Sequence, residues 1–355
     1  MKKLLMAVFA LCAVLGLAAC GDKEADYKLG MGVEVSTTSS TNATAEKAGN
    51  AQVDATVAAV VVDKDGKIVA CRLDAVQNKV AVSATGEVTV PETFQTKMEK
   101  GDAYGMAGSP YSPDNNGDGV VKEWYEQAKA FETYVVGMTA AEVKAMETTT
   151  LKNGYVISAD KALLNAGCTI QITDFKAAVA AACEDEQGVS FKSKGEFTLG
   201  VAADSYSDKA TANATAEKAG AVCVYSDFAA SVVEGGKIVA SLNDAIQPKF
   251  AVSVAGELTA TYTNTKRGLK EAYGMAGSPY SPDNDGDGRV LEWYEQSLAF
   301  SKHVVGMTAA EVAAMTTQTV NDHEISTDEN LLAAGCTIQI TGIKAVVAKS
   351  ANNAR

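Results

Sequence analysis

The chain has 355 residues, of which 47% are hydrophobic, and its formal net charge is −13 at pH 7. This length and composition supply enough apolar material for two domains with packed cores. Because phosphate backbones and anionic lipid surfaces repel so acidic a protein, the charge argues against nucleic acid as a partner.

The N-terminus has the pattern of a secretory signal peptide. Lys2 and Lys3 precede an apolar run over residues 4–17, which is shorter than the ~20 residues that a membrane-spanning helix needs. The sequence L-A-A-C that ends at Cys20 resembles the lipobox of bacterial lipoproteins. We therefore predict a signal peptide over 1–19, lipidation of Cys20, a tether over 20–27 and an extracytoplasmic protein that its lipid anchors to the cell membrane. An ordinary signal peptide with a chance cysteine is the alternative.

Cysteine and histidine usage limits the possible chemistry. Cys12 leaves with the predicted signal peptide and Cys20 carries lipid, so five cysteines remain: Cys71, Cys168, Cys183, Cys223 and Cys336. An odd number cannot all pair within one chain, and the sequence has no C-x-x-C motif. His303 and His323 both lie in the second half, so chemistry common to both halves cannot use histidine.

The chain contains an internal duplication. The repeated motifs are NATAEKAG at Asn42 and Asn213, GKIVA at Gly66 and Gly236, YGMAGSPYSPDN at Tyr104 and Tyr273, GMTAAEV at Gly137 and Gly306, and AGCTIQIT at Ala166 and Ala334. We predict a first domain over 28–183, a polar linker over 184–192, a second domain over 193–349 and a C-terminal tail over 350–355.

Each copy predicts an α+β domain in which an antiparallel hairpin sheet packs with helices. Residues 57–62 and 67–73 flank an Asp-Gly turn at Gly66, which is typical of a β-hairpin, and Gly235-Gly236 takes this place in the second copy. Apolar residues at helical spacing predict a helix over 123–136. A capping box at Thr139 predicts a second helix. The segment AGCTIQIT predicts a strand, and the run DFKAAVAAA after it predicts a closing helix.

Two acidic loops lie between the hairpin and the first of these helices. Their acidic and amide side chains at loop positions one, three and five match the start of an EF-hand-like calcium loop: Asp114, Asn116 and Asp118, and Asp283, Asp285 and Asp287. The twelfth position, normally a bidentate glutamate, is Tyr125 or Tyr294. A structural calcium site is therefore one interpretation, and an Asx-rich turn that leads into the helix is the other.

The AGCTIQIT segment holds the residues that could carry chemistry, because a glycine, a cysteine and a threonine occur at the same point of both copies. They are Gly167, Cys168 and Thr169, and Gly335, Cys336 and Thr337. With the D-K-D-G-K-I-V hairpin, the E-W-Y-E-Q helix and V-V-G-M-T-A-A-E-V, they cover nearly all of the chain beyond the signal peptide. In these motifs the chain resembles the PplA-type flavoproteins, two-domain lipoproteins of bacterial extracellular electron transfer with tandem FMN-binding domains.

This resemblance implies covalent FMN in each repeat. A flavin transferase would join the FMN phosphate to the hydroxyl of Thr169 and of Thr337 as a phosphodiester. Cys168 and Cys336 stand where the family motif has a small residue. The aromatic side chains of Tyr104 and Tyr273 are candidates to stack on the flavin ring. The alternative is a turn with cysteine as a small core residue.

The resemblance further implies an electron carrier rather than an enzyme with a substrate pocket. Electrons would come from a membrane quinone-linked dehydrogenase and pass through two flavins to soluble or mineral acceptors outside the cell. The rival hypothesis is a calcium-stabilised, tandem surface-binding lipoprotein that holds no redox cofactor.

Overall fold

The computed structural model describes residues 24–110, 112, 114, 117–261, 264–278, 288 and 290–355. The predicted signal peptide and the lipidation site Cys20 therefore lie outside the described residues, as do Asn116, Asp283, Asp285 and Asp287. Within the described ranges, no helix has both the length and the apolar composition needed to cross a membrane.

The first repeat consists of a sheet followed by helices, as the sequence predicts for an α+β fold. Its strands are β1 (Ala25–Ser36), β2 (Gly49–Asp63), β3 (Ile68–Val82), β4 (Val88–Thr89), β5 (Thr148–Thr150) and β6 (Val156–Ser158). Its α-helices are α1 (Lys97–Lys100), α2 (Trp124–Tyr134), α3 (Ala140–Ala145), α4 (Lys161–Asn165) and α5 (Thr173–Cys183), and a 3-10 helix spans Gly101–Tyr104.

The second repeat follows the same order. Its strands are β7 (Val189–Ser193), β8 (Thr198–Ser207), β9 (Gly220–Glu234), β10 (Lys237–Ile246), β11 (Lys249–Val252), β12 (Leu258–Thr261), β13 (Thr317–Val320) and β14 (His323–Ser326). Its α-helices are α6 (Lys266–Leu269), α7 (Trp293–His303), α8 (Ala309–Ala313), α9 (Glu329–Ala333) and α10 (Thr341–Asn352), with a 3-10 helix at Lys270–Tyr273.

The strands form two large antiparallel sheets. The first has the order β4-β3-β2-β1-β7, and in the second β9 pairs with β8, β10 and β11, while β12 extends from β11. Strand β1 begins at Ala25, inside the stretch predicted as a tether. Strand β7 lies mostly within the predicted linker and pairs with β1, from Ala25 opposite Ser193 to Leu29 opposite Val189. The connection between the repeats is therefore partly built into the first sheet.

The two sheets share an apolar core between their inner faces. Val57, Ala59 and Val61 of β2 belong to the same buried cluster as Phe228 and Phe250 of the second repeat. The alternate residues of β2 point to the other face, where they pack with the helices of the first repeat. Burial on both faces explains why this strand reads as an almost uninterrupted apolar run.

The helices cover the outer face of each sheet. In the first repeat the outer core contains Trp124, Phe131 and Phe175, and in the second it contains Trp293 and Phe300. The molecule thus has four layers, in the order helices, sheet, sheet, helices.

Local turn and cap signals predicted several elements correctly. Gly66 has φ 74° in the hairpin turn, and Asp63 Oδ1 accepts hydrogen bonds from the backbone N–H of Asp65 and of Lys67, both at 2.9 Å. Thr139 is the N-cap of α3 in a capping box with Glu142. The predicted helices over 123–136 and after AGCTIQIT are confirmed as α2 and α5.

The predicted strand in AGCTIQIT is wrong. Residues 166–172 form a turn and an irregular buried segment between α4 and α5, and the corresponding residues of the second repeat do the same between α9 and α10. The backbone amides of Thr169 and Ile170 donate to the side chain of Gln127 instead of to a neighbouring strand. A side chain from another element therefore satisfies the groups that a sheet partner would have satisfied.

The repeated motif NATAEKAG connects the two repeats. Asn42 Oδ1 accepts a hydrogen bond from the backbone N–H of Leu258, and Asn213 Oδ1 accepts one from Val88, both at 2.8 Å. The backbone N–H groups of the next residues, Ala43 and Ala214, donate to the carbonyl oxygens of Gly256 and Gly86. We call these reciprocal contacts the clasp.

Candidate functional site

Thr169 lies between two helices and is held by a third. Helix α2 places Gln127 so that its Oε1 accepts from Thr169 N at 2.8 Å, from Ile170 N at 3.1 Å and from the Thr169 hydroxyl at 3.3 Å. The amide nitrogen of Gln127 donates to Ser112 Oγ at 2.7 Å and to the Lys122 carbonyl oxygen at 2.8 Å. One glutamine thus fixes the threonine and connects it to the loop before α2.

Thr337 has the same environment in the second repeat. Gln296 of α7 accepts from Thr337 N at 2.9 Å and from its hydroxyl at 3.3 Å. Its amide nitrogen donates to the carbonyl oxygen of Leu291 at 2.8 Å. The Gln–Thr pair is therefore a feature of the repeat, and the sequence analysis did not identify either glutamine.

Both threonines are buried, with 4% of Thr169 and 7% of Thr337 exposed. The hydroxyl that would be the nucleophile in a phosphodiester bond therefore faces protein rather than solvent. Of two surface cavities, one lies at His303 and Asp328 and the other at Lys144 and Lys176, and neither borders a threonine.

The glycines before the threonines are required by the backbone. Gly167 has φ 95° and Gly335 has φ 90°, a conformation that strongly favours glycine. A Cβ at Gly167 would come within 2.3 Å of Lys122 Nζ, and one at Gly335 within 2.4 Å of Leu291 Cδ1. These glycines fit the close packing of the segment.

Cys168 and Cys336 are fully buried core residues. Burial raises the pKa of each thiol to about 12. A thiol with such a pKa is protonated at neutral pH, and it is therefore a poor nucleophile and a poor metal ligand.

Tyr104 and Tyr273 contact lysines that the sequence analysis did not single out. Lys97 Nζ lies 5.2 Å from the ring centre of Tyr104 and 5.5 Å from that of Trp124. Lys266 Nζ lies 5.2 Å from the ring centre of Tyr273. A lysine thus lies against the tyrosine that was predicted to stack on flavin in each repeat.

The lysine of the second repeat has the more enclosed site. Lys266 is 7% exposed, and its ammonium also lies 4.8 Å from the ring centre of Tyr225 and 5.4 Å from that of Trp293. Burial lowers the pKa of Lys266 to about 8 and raises that of Asp227 to about 6, while their mutual attraction opposes both shifts. Because Lys97 and Lys266 each follow a threonine N-cap, the shared Thr-Lys pair is the sequence signal that could have found them.

The described part of the first acidic loop uses its aspartate to bind backbone. The Asp114 carboxylate accepts hydrogen bonds from Gly117 N at 2.7 Å, Asp118 N at 3.0 Å and Gly119 N at 2.8 Å. This is the pattern of an Asx-rich turn. Over the residues described, no group of three or more His, Cys, Asp or Glu side chains is arranged to hold a metal ion. Calcium binding by the complete loops stays a prediction.

The residues around each threonine do not fit a covalently attached FMN in the geometry described. The hydroxyls are buried and bonded to glutamine, the adjacent glycines are closely packed, and the tyrosines contact lysines. Comparison with known proteins gave no match among family models, curated proteins or solved structures.

Proposed function

We propose that this protein is an extracytoplasmic electron carrier, lipid-anchored at Cys20, that receives FMN on Thr169 and Thr337. The observation that carries the proposal is the recurrence of one arrangement in both repeats. In each, a Gly-Cys-Thr segment comes directly before the last helix and a glutamine holds its threonine. The resemblance of this segment to the attachment motif of two-domain flavoproteins supplies the chemistry.

The buried hydroxyls set a condition on this proposal. A flavin transferase needs access to the threonine oxygen, so segment 166–172 has to be exposed when the phosphodiester forms. Transfer before the segment packs against α2, or after its local opening, meets this condition. A membrane quinone-linked dehydrogenase is the proposed electron donor, and soluble or mineral compounds are the proposed acceptors.

Intact mass and visible absorption test the proposal. The protein is produced in a host that also makes a flavin transferase, and we expect one FMN adduct per repeat with the absorption of a flavin. Thr169→Ala and Thr337→Ala should each remove one adduct, because each removes a hydroxyl. Thr169→Ser should keep its adduct, and Thr150→Ala, in an exposed strand, should change nothing. Unmodified, colourless protein from this host would refute the proposal.

The burial of both threonines favours a second candidate, a surface-binding lipoprotein without a redox cofactor. In this reading the Gln–Thr pairs only stabilise the fold, and calcium in the acidic loops adds rigidity. Calcium should then raise the melting temperature relative to chelator, and Asp114→Ala should reduce the rise. If the melting temperature does not respond to calcium, the calcium part of this candidate is wrong.

A further inference from the structure

The second repeat has a cavity of about 340 Å³ between α7, α8 and α9. Residues of three chemical kinds line it, namely the imidazole of His303, the thioethers of Met307 and Met315, and the carboxylates of Glu311 and Asp328. Nitrogen, oxygen and thioether groups thus border one small space. The two carboxylates make it favourable for a cation.

His303 provides the observation that points to a ligand. Its Nε2 is buried and, among the described residues, has no hydrogen-bond partner. It lies 3.4 Å from Asp328 Oδ2 without hydrogen-bond geometry. A buried polar nitrogen without a partner costs about 1–3 kcal/mol, and bound ions are among the usual reasons for such a group.

The distance between these two atoms suits a shared ion. Two ligand atoms at bonds of about 2 Å and a tetrahedral angle lie about 3.3 Å apart. Asp328 is the N-cap of α9, and its Oδ1 accepts from Asn330 N at 2.9 Å and Leu331 N at 3.2 Å. The cap therefore fixes the carboxylate with Oδ2 towards His303.

The first repeat shows how the same place looks when it is filled. Tyr134 stands where the second repeat has His303, and its hydroxyl donates to Asp160 Oδ2 at 2.5 Å. Asp160 is the N-cap of α4, as Asp328 is of α9. The larger phenol thus satisfies the carboxylate that the shorter imidazole does not reach with a hydrogen bond.

We propose that the second repeat binds one copper ion through His303 Nε2, Asp328 and the thioethers of Met307 and Met315. Thioethers select copper in its monovalent state, and imidazole and carboxylate also bind the divalent state. Hard cations such as calcium disfavour thioethers, which excludes them here. The cavity closes around the ion by side-chain rotation, since methionine is flexible. This site does not depend on the flavin proposal.

Native mass spectrometry with Ag(I), a redox-inert probe for monovalent copper, tests the proposal on the full chain. Cys183, a half-buried free thiol, is replaced by serine in every sample because thiols also bind silver. We expect one more bound Ag(I) in this reference protein than in its His303→Tyr variant. The tyrosine should fold normally, since Tyr134 occupies the same place in the first repeat. His323→Asn should bind as the reference does.

A gain of binding provides the matched control. Met138, Met146 and Asp160 hold the corresponding places in the first repeat, so Tyr134→His should add one further Ag(I) per chain. Equal silver binding by the reference protein and the His303→Tyr variant would overturn the proposal. Binding of Zn(II) but not of Ag(I) that depends on His303 would also overturn it, because the thioethers would then not be ligands.

Discussion

In the first repeat the Glu132 carboxylate is buried, and it lies 3.7 Å from Arg72 and 3.0 Å from Arg355. The corresponding place of the second repeat holds Ser301, which accepts a hydrogen bond from Asn243 at 2.9 Å. The first repeat thus uses a charged cluster completed by the C-terminal residue, and the second uses a neutral pair.

This contrast separates two kinds of buried residue. Those that both repeats share, such as the Gln–Thr pairs and the capping boxes, meet requirements of the common fold. Those that differ, such as Tyr134 against His303, mark the places where one repeat can have chemistry of its own. The predictions below test this division.

The largest effect is expected where both repeats bring a strand against the last helix. A Cβ at Gly30 would come within 1.9 Å of the Ala182 carbonyl oxygen, and one at Gly200 within 1.9 Å of that of Ser350. We expect Gly30→Ala and Gly200→Ala each to lower the free energy of unfolding by more than about 3 kcal/mol in urea titrations. Gly154→Ala, at φ 88° in open space, should cost only about 1 kcal/mol. Equal effects at Gly30 and Gly154 would contradict the close approach.

A smaller effect should distinguish two equivalent buried aspartates. Burial raises the pKa of Asp74 from 3.8 to about 7. Burial also raises the pKa of Asp244, but attraction by Arg267 opposes that shift. Because folded protein keeps a proton on Asp74 that the unfolded chain has released, stability should fall as pH rises from about 4 to 7.

Asp74→Asn should remove this part of the pH dependence and stabilise the protein by about 2 kcal/mol at pH 7. The gain from Asp244→Asn should be smaller, since it leaves Arg267 without its carboxylate. Urea titrations at several pH values measure both. An unchanged slope in the Asp74→Asn variant would show that this carboxyl is ionised in the folded protein.

The smallest effect concerns the clasp. Asn42→Ala and Asn213→Ala each remove one hydrogen bond between the repeats, at exposed sites, so each should cost about 1 kcal/mol. Because the sheets share a core, both variants should still melt in a single transition by calorimetry. Two separate transitions would mean that the shared core does not couple the repeats.

Elements with local signals were predictable from the sequence. The Asp-Gly turn at Gly66 and the capping box at Thr139 each depend on residues that lie within a few positions of each other. Such short-range hydrogen bonds act alike in any fold, which is why these elements were correct.

Features that depend on distant residues were not predictable. The AGCTIQIT segment is apolar and β-branched like a strand, but Gln127 of another helix satisfies its amides. Lys97 and Lys266 look like ordinary surface lysines until the rings around them are placed. The shared core between the sheets also escapes a sequence argument, because both faces of β2 are equally apolar.

The central claim is that Thr169 and Thr337 carry FMN, and the most direct measurement is peptide mass spectrometry on protein isolated from its own organism. The account predicts that the peptides containing these two threonines carry the mass of FMN and that the protein is yellow. Unmodified peptides at both positions would contradict it and would leave the buried Gln–Thr pairs as purely structural features.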